Sequence, residues 1–268
     1  MPTIFSGNGK HLLAEIRNPY DYEVNFGLVI WSRERASSYI MYSLAEWFGD
    51  GNDILNTQII VLAYAMPLDG QELVISDTYG GLVRMILNDD AFYGTLDGIK
   101  ERRNHLSQFM NFDCLLFTKD GKKLITGNVQ GRIEIRDRHF GYTVLSQIEM
   151  DPHPYMSCMA VRRNDKQLAL HRFSGKIELW DIETMTKTSE IKVARKGELL
   201  SNLQYSPNSE HLLGLKKVNP NQYKIWHYHF QTGKTTYNHM DADMVDEDDI
   251  RINRAGFFDN LHSWTVTN

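Results

Sequence analysis

The chain has 268 residues, of which 42% are hydrophobic and 24% are charged, a composition typical of globular proteins. Its formal net charge of −5 argues against a general nucleic-acid binder, which usually carries a basic excess. The longest apolar run, residues 59–66, is far shorter than the ~20 residues of a membrane helix, and residues 1–5 lack the pattern of a signal peptide. We therefore expect a soluble protein whose partners are neither membranes nor nucleic acids.

The two cysteines, Cys114 and Cys158, both lie in apolar stretches of the kind found in strands. Buried thiols with no obvious disulfide pattern are typical of proteins from reducing compartments. We expect both thiols to be free, and the protein to be cytoplasmic or nuclear.

A short frame recurs five times along the chain. Each copy has an apolar run, then Asn or Asp with or without Gly, and then a second apolar run. The copies lie at residues 5–13, 66–73, 117–124, 162–168 and 205–213. Asp-Gly between apolar runs is a strong hairpin signal, because the tight primed turn needs positive φ. The sequence therefore predicts five β-hairpins.

A second element follows each hairpin and alternates apolar with polar residues, as a half-buried strand does. The copies lie at residues 26–31, 80–85, 131–137, 175–181 and 221–226. Their aligned apolar position recurs about every 44 to 54 residues, a spacing typical of a propeller with four short strands per blade. It is occupied by Trp31, Met85, Arg136, Trp180 and Trp226.

Residues 124–137 and 168–181 resemble the core of a WD40 repeat, and the second ends in a literal Trp180-Asp181. The resemblance implies a WD40-like β-propeller whose role is to bind other macromolecules. The chain departs from the pattern in lacking the opening Gly-His dipeptide and in carrying Met85 and Arg136 where the repeat has Trp. A β-sandwich or another propeller family is the alternative, since short strands with regular turns fit those folds too.

The repeat divides the chain into five four-stranded units and a partial sixth, within one domain spanning 1–268. The units lie at residues 1–55, 56–111, 112–154, 155–197, 198–245 and 251–268. Two insertions interrupt them, a loop at 44–58 and a segment at 92–111 with room for a short helix.

This count predicts an open or incomplete ring, and an open sheet edge invites pairing with another chain. Three explanations stay open: the sequence is a piece of a longer protein, a partner supplies the missing strands, or degenerate strands complete the ring.

In the propellers that this chain resembles, partners commonly lie across the central channel and one rim. That rim is formed by the turns between the second and third strands and by the connections from one blade to the next. Aromatic and Arg side chains at such turns are common in interface hot spots. These residues are therefore candidates for partner contacts, and packing on neighbouring blades is the alternative. The candidate residues are Tyr20, Tyr22, Tyr79, Arg172 and Phe173.

The sequence contains no convincing catalytic, cofactor-binding or metal-binding motif. His227 and His229 share one face of a strand, but no third metal ligand lies nearby in the sequence. Residues 241–249 are dense in carboxylates, which indicates either a solvated loop or a docking site for a basic partner.

Three functions are consistent with this reading. The first is a non-catalytic protein–protein scaffold or adaptor in a larger complex. The second is a sensor or autoinhibitory domain of a multidomain protein, and the third is an enzyme with its active site in the propeller channel. Fold alone does not choose among them.

Overall fold

The computed structural model describes the chain in segments, and the following statements concern those segments alone. They are residues 3–5, 11–17, 26–32, 39–43, 61–77, 82–86, 96–97, 112–128, 131–150, 156–172, 174–193, 200–219, 222–239, 255–257 and 264–266. Within them every regular element is a β-strand, and no helix is long and apolar enough to cross a membrane.

The strands form antiparallel sheets in chain order, which we number 1 to 6. Sheet 1 contains β1 (Thr3–Phe5), β2 (His11–Arg17), β3 (Phe26–Ser32) and β4 (Tyr39–Ser43). Sheet 2 contains β5 (Val61–Ala65), β6 (Glu72–Asp77), β7 (Leu82–Ile86) and β8 (Leu96–Asp97). Sheet 3 contains β9 (Phe112–Phe117), β10 (Lys123–Asn128), β11 (Arg132–Asp137) and β12 (Thr143–Glu149).

Sheet 4 contains β13 (Met156–Val161), β14 (Gln167–Arg172), β15 (Lys176–Asp181) and β16 (Thr186–Lys192). Sheet 5 contains β17 (Leu200–Tyr205), β18 (His211–Asn219), β19 (Gln222–His229) and β20 (Lys234–His239). Sheet 6 pairs β21 (Ala255–Phe257) with β22 (Trp264–Val266). The predicted all-β fold of repeated four-stranded sheets is confirmed. One refinement concerns the insertion at 92–111, because β8 lies within it.

The turn between the first and second strands has the same construction in sheets 2 to 5. An amide bonds back to the carbonyl three residues earlier, and the donor residue has positive φ; the donors are Gly70, Gly121, Asp165 and Ser209. The preceding side chain accepts an amide two residues ahead; these side chains are Asp69, Asp120, Asn164 and Asn208. The predicted primed turn is wrong, because the positive φ falls at the fourth residue of the turn and not at its central pair.

Sheets 2 to 5 pack on one another through their first strands. Strand β5 contacts β9, β9 contacts β13, and β13 contacts β17. Side chains that alternate along a strand face opposite neighbours: Leu168 and Leu170 join the apolar core shared with sheet 3, whereas Ala169 joins the core shared with sheet 5. Strand β14 is therefore buried on both faces, which explains why it is apolar at consecutive positions.

The turns of adjacent sheets are also joined by polar contacts. The carboxylate of Asp165 accepts the amides of Lys119 and Asp120, which links sheet 4 to sheet 3. The guanidinium of Arg162 donates to the carbonyl of Ser209 at 3.1 Å, which links sheet 4 to sheet 5. These contacts fix the spacing of neighbouring hairpins at one end of the sheets.

The register corrects one position of the aligned Trp series. In sheets 2 to 4 the third residue after the end of the turn pairs with the predicted residue of the third strand. The pairs are Leu73 with Met85, Leu124 with Arg136, and Leu168 with Trp180. The equivalent residue in sheet 5, Leu212, faces Tyr228, while Trp226 faces Gly214. The alignment of Trp226 was wrong because a two-residue shift preserves strand alternation and is invisible to periodicity.

Arg136 occupies the position that Trp180 holds in sheet 4, and its side chain is buried. Its Nε donates to Oε2 of Glu134 at 3.0 Å, and Nη1 donates to the carbonyl of Tyr142 at 3.2 Å. The guanidinium also lies 5.7 Å from the ring centroid of Phe112. The substitution is tolerated because a buried charge needs a paired charge and hydrogen bonds, and both are present.

Neither Cys114 nor Cys158 forms a disulfide bond, as predicted: Cys158 is buried and Cys114 is half-buried.

Candidate interaction surface and polar clusters

The predicted rim residues lie mostly outside the described residues. Tyr20, Tyr22, Tyr79 and Phe173 belong to undescribed segments, as do the acidic residues 241–249 and the loop at 44–58. Arg172 is described: it is the last residue of β14, its side chain is 10% exposed, and Nη1 lies 3.7 Å from Oε1 of Glu178. Its role as a contact residue stays a prediction.

The outer strand of sheet 3 exposes apolar side chains that we call the apolar edge, namely Phe140, Val144 and Leu145. They are 74%, 39% and 53% exposed. Phe140 lies in the turn before β12, while Val144 and Leu145 are adjacent in β12 itself. Because β12 is the last strand of its sheet, its outer side has no strand partner within the described chain. The apolar side chains therefore accompany a strand edge that is open to pairing.

The corresponding edge of sheet 4 is polar. Strand β12 shifts register against β11 after Ile135, and β16 shifts against β15 after Leu179, so the two outer strands align residue by residue. Val144 faces Arg136 just as Lys187 faces Trp180. Lys is a usual protection for an edge strand, and in β16 it also bonds to Glu190 at 2.8 Å. Strands β12 and β16 are thus equivalent in position, but β12 exposes apolar side chains where β16 exposes polar ones.

A charged cluster connects sheets 2 and 3. The buried carboxylate of Glu72 accepts hydrogen bonds from Nε of Arg84, from Nε of Arg138 and from the hydroxyl of Tyr142. Arg138 also donates to Asp69, with Nη1 2.7 Å from Oδ2 and Nη2 3.2 Å from Oδ1. Two carboxylates therefore neutralise two guanidinium groups across the sheet boundary.

The electrostatics of this cluster favour a structural role. Burial and the hydrogen bond to Glu72 raise the pKa of Tyr142 far above its usual range. Burial opposes ionisation of Asp69, but the hydrogen bonds from Arg138 and from the amide of Gln71 outweigh it and lower the pKa of that carboxyl. Tyr142 is thus held neutral and Asp69 ionised near neutral pH, so neither is prepared to exchange a proton there.

Three histidines meet on sheet 5, at the end that carries the turn between its first and second strands. His211 faces His229 directly across β18 and β19, with ring centroids 4.6 Å apart. Nε2 of His227 lies 2.8 Å from Nδ1 of His211. Burial and the neighbouring histidines lower the pKa of His227. Burial and, to a smaller extent, the neighbouring His229 lower the pKa of His211.

The sequence paired His227 with His229, but the structure groups His229 with Glu210 and His211 as possible metal ligands and leaves His227 outside that group. His211 precedes His227 by sixteen residues and meets it only through strand pairing. One ligand atom from each of Glu210, His211 and His229 lies within 4.8 Å of the others. All three side chains are half-buried. Among the described residues, Glu210, His211 and His229 form the group of side chains whose ligand atoms lie close enough together to hold a metal ion.

Comparison with known proteins gives no family for the chain. No protein-family model matches it, and no curated protein matches it. Its function is therefore argued from its own geometry.

Proposed function

We propose that the chain is a WD40-like β-propeller that serves as a non-catalytic protein–protein scaffold within a larger complex. Four-stranded sheets that follow one another in the chain and pack through their first strands support this proposal. The fourth strands β12 and β16 are largely exposed, whereas the second and third strands β10, β11, β14 and β15 are mostly buried. This gradient from a buried first strand to an exposed fourth strand is the arrangement of propeller blades.

The observation that carries the scaffold function is the apolar edge of Phe140, Val144 and Leu145. A partner that covers these exposed side chains removes their apolar surface from water. This burial stabilises the complex by roughly 25 cal/mol per Å² of apolar surface. The adjacent backbone of β12 also offers amides and carbonyls for an added strand. A protein partner provides both kinds of contact, whereas a small polar ligand provides neither.

Sheet 6 extends the proposal to a second contact. Within the described residues it has two strands, whereas each of the other five sheets has four. Two strands from a partner would bring it to the same size by pairing with its edges. Cys114 and Cys158 form no disulfide bond, which is compatible with a scaffold in the cytosol or nucleus.

The experiment compares an edge variant with a matched control in the native complex. The edge variant combines Phe140→Ser, Val144→Lys and Leu145→Thr, which gives β12 the Lys and Thr of β16. The control combines Lys187→Ala and Thr188→Ala at the equivalent positions of β16. Each tagged chain is purified from its source cells, and stoichiometric partners are quantified by mass spectrometry.

We expect the control to retain the partners of the unmodified chain and the edge variant to lose at least one of them. Circular dichroism and thermal unfolding of both variants establish that the fold is retained. Retention of every partner by the folded edge variant would contradict the apolar edge as a binding surface. An unmodified chain that migrates as a monomer in native extracts would contradict the scaffold function itself.

A further inference from the structure

The histidine cluster of sheet 5 is half-buried, polar and separate from the apolar edge of sheet 3. Its position follows from two turns that meet at one end of the sheet. Glu210 lies in the turn between β17 and β18, and His229 is the last residue of β19. The amide of Phe230 donates to the carbonyl of Glu210 at 2.9 Å, which holds the two turns together.

The hydrogen bonds around His211 leave one of its nitrogens for a ligand. Nδ1 of His227 lies 3.0 Å from Oγ1 of Thr236, and Nε2 of His227 lies 2.8 Å from Nδ1 of His211. Both contacts are satisfied when His227 donates to Thr236 and His211 donates to His227. In that pattern Nε2 of His211 carries a lone pair. An imidazole that donates through its other nitrogen is the usual state of a metal-bound histidine.

His229 and Glu210 have similar outer partners. The amide of Thr232 donates to Nδ1 of His229 at 3.2 Å, and Oγ1 of Thr232 lies 3.0 Å from the same nitrogen. A metal at Nε2 requires the other tautomer, in which Nδ1 donates to the Thr232 hydroxyl and the hydrogen bond from the Thr232 amide is given up. Asn208 donates to Oε2 of Glu210 at 2.8 Å, which orients the carboxylate and leaves Oε1 for coordination. Each ligand is therefore oriented by a hydroxyl, an amide or an imidazole beside it.

We propose that Glu210, His211 and His229 bind a divalent transition-metal ion of the Zn²⁺ class, with His227 and Thr236 positioning His211. Two imidazoles and one carboxylate are donors that Zn²⁺ accepts, and they leave a fourth position for water or for a group from a partner. Tetrahedral bonds of about 2.0–2.2 Å place the ligand atoms about 3.3–3.6 Å apart. The ligand atoms of the three residues lie within 4.8 Å of one another, and side-chain rotations bring them to the shorter distance.

The direct test is titration of the metal-free full chain with ZnCl₂, followed by isothermal calorimetry. Co²⁺ is a second probe, because tetrahedral Co²⁺ absorbs intensely in the visible range and octahedral aqueous Co²⁺ does not. We expect one bound zinc ion per chain and a tetrahedral Co²⁺ spectrum that Zn²⁺ displaces. His229→Gln and His211→Gln should each weaken binding by more than roughly 100-fold, beyond the loss seen for outer partners of metal ligands.

Two further variants separate a ligand role from a general structural one. Thr236→Val leaves all three ligands and should weaken binding by roughly 10- to 100-fold. His139→Gln is the matched control: it removes an exposed histidine from the corresponding turn of sheet 3 and should leave the affinity unchanged. If either ligand variant does not fold, the Co²⁺ spectrum of the unmodified chain and the Thr236→Val affinity decide the question.

The proposal is overturned if the unmodified chain binds Zn²⁺ no more tightly than the buffer does. It is also overturned if folded His211→Gln and His229→Gln bind as tightly as His139→Gln. Thermal unfolding gives an independent readout: Zn²⁺ should raise the Tm of the unmodified chain and not that of His229→Gln. Partner binding at the apolar edge is unaffected by these variants, so the two proposals fail separately.

Discussion

Tyr142 donates its hydroxyl hydrogen to Oε1 of Glu72 at 2.6 Å, across the boundary between sheets 2 and 3. The carboxylate it reaches is 2% exposed and also receives Arg84 and Arg138. One acidic side chain thus holds groups from β7 and from the turn before β12. Its removal leaves guanidinium groups without their buried counter-charge, which is a large cost in protein interiors.

We predict that Glu72→Gln lowers the free energy of unfolding by about 3 kcal/mol, because the amide keeps the shape and loses the charge. Tyr142→Phe should lower it by about 1.5–3 kcal/mol, since a buried hydrogen bond to a charged acceptor is lost. Urea unfolding measures both. The double variant should lose less unfolding free energy than the sum of the losses in the two single variants, because the two residues share one hydrogen bond. Glu190→Gln, on the exposed β16, is the control and should leave stability almost unchanged.

His171 predicts how stability depends on pH. It lies on β14, it is fully buried, and burial lowers its pKa to about 4. The unfolded chain takes up a proton near the ordinary value of 6.5, whereas the folded chain resists protonation until about pH 4. Its contribution is therefore constant above pH 6.5 and is lost as the pH falls towards 4, by about 3 kcal/mol in total.

The measurement is urea unfolding at a series of pH values for the unmodified chain and for His171→Leu. The variant should lose about 3 kcal/mol of the pH dependence between 6.5 and 4, and it should keep the part that comes from His211 and His227, whose pKa values are also lowered. His139→Gln removes an exposed histidine and should keep that dependence. An identical pH profile for His171→Leu and the unmodified chain would show that His171 titrates normally in the fold.

The turns between first and second strands predict a stabilising substitution. Ser209 has φ of 60°, at the position that Gly70 and Gly121 occupy in sheets 2 and 3. A residue with a Cβ is strained in that conformation, and glycine is not. Ser209→Gly should therefore raise the free energy of unfolding by about 0.5–1 kcal/mol. Ser209→Ala, which keeps the Cβ, should give no such gain in thermal unfolding.

Much of the fold could be predicted from local chemistry. The Asp, Asn and Gly residues of each turn act within a few residues of one another, so the hairpins and their repeat were visible in the sequence. The type of turn was not, because Asp-Gly fits both a primed turn and one with a single left-handed residue at its end. The position of Trp226 was missed because strand register depends on pairing rather than on alternation.

The clusters were harder to predict than the sheets. Arg138 reaches Asp69 from a neighbouring sheet, and His211 reaches His229 from a neighbouring strand, so neither contact leaves a local motif. The apolar edge did leave a signal: Val144 and Leu145 replace the Lys187 and Thr188 of the next repeat. Comparison of equivalent outer strands, made possible by the register, is what identifies it.

The central claim is that the apolar edge of sheet 3 is a protein-binding surface, and hydrogen–deuterium exchange tests it most directly. Exchange is measured by mass spectrometry for the free chain and for the chain in its native complex. We predict slower amide exchange in the complex across residues 137–149, with no change across the equivalent residues 181–192 of sheet 4. Unchanged exchange at 137–149 in a complex that protects other parts of the chain would contradict the claim.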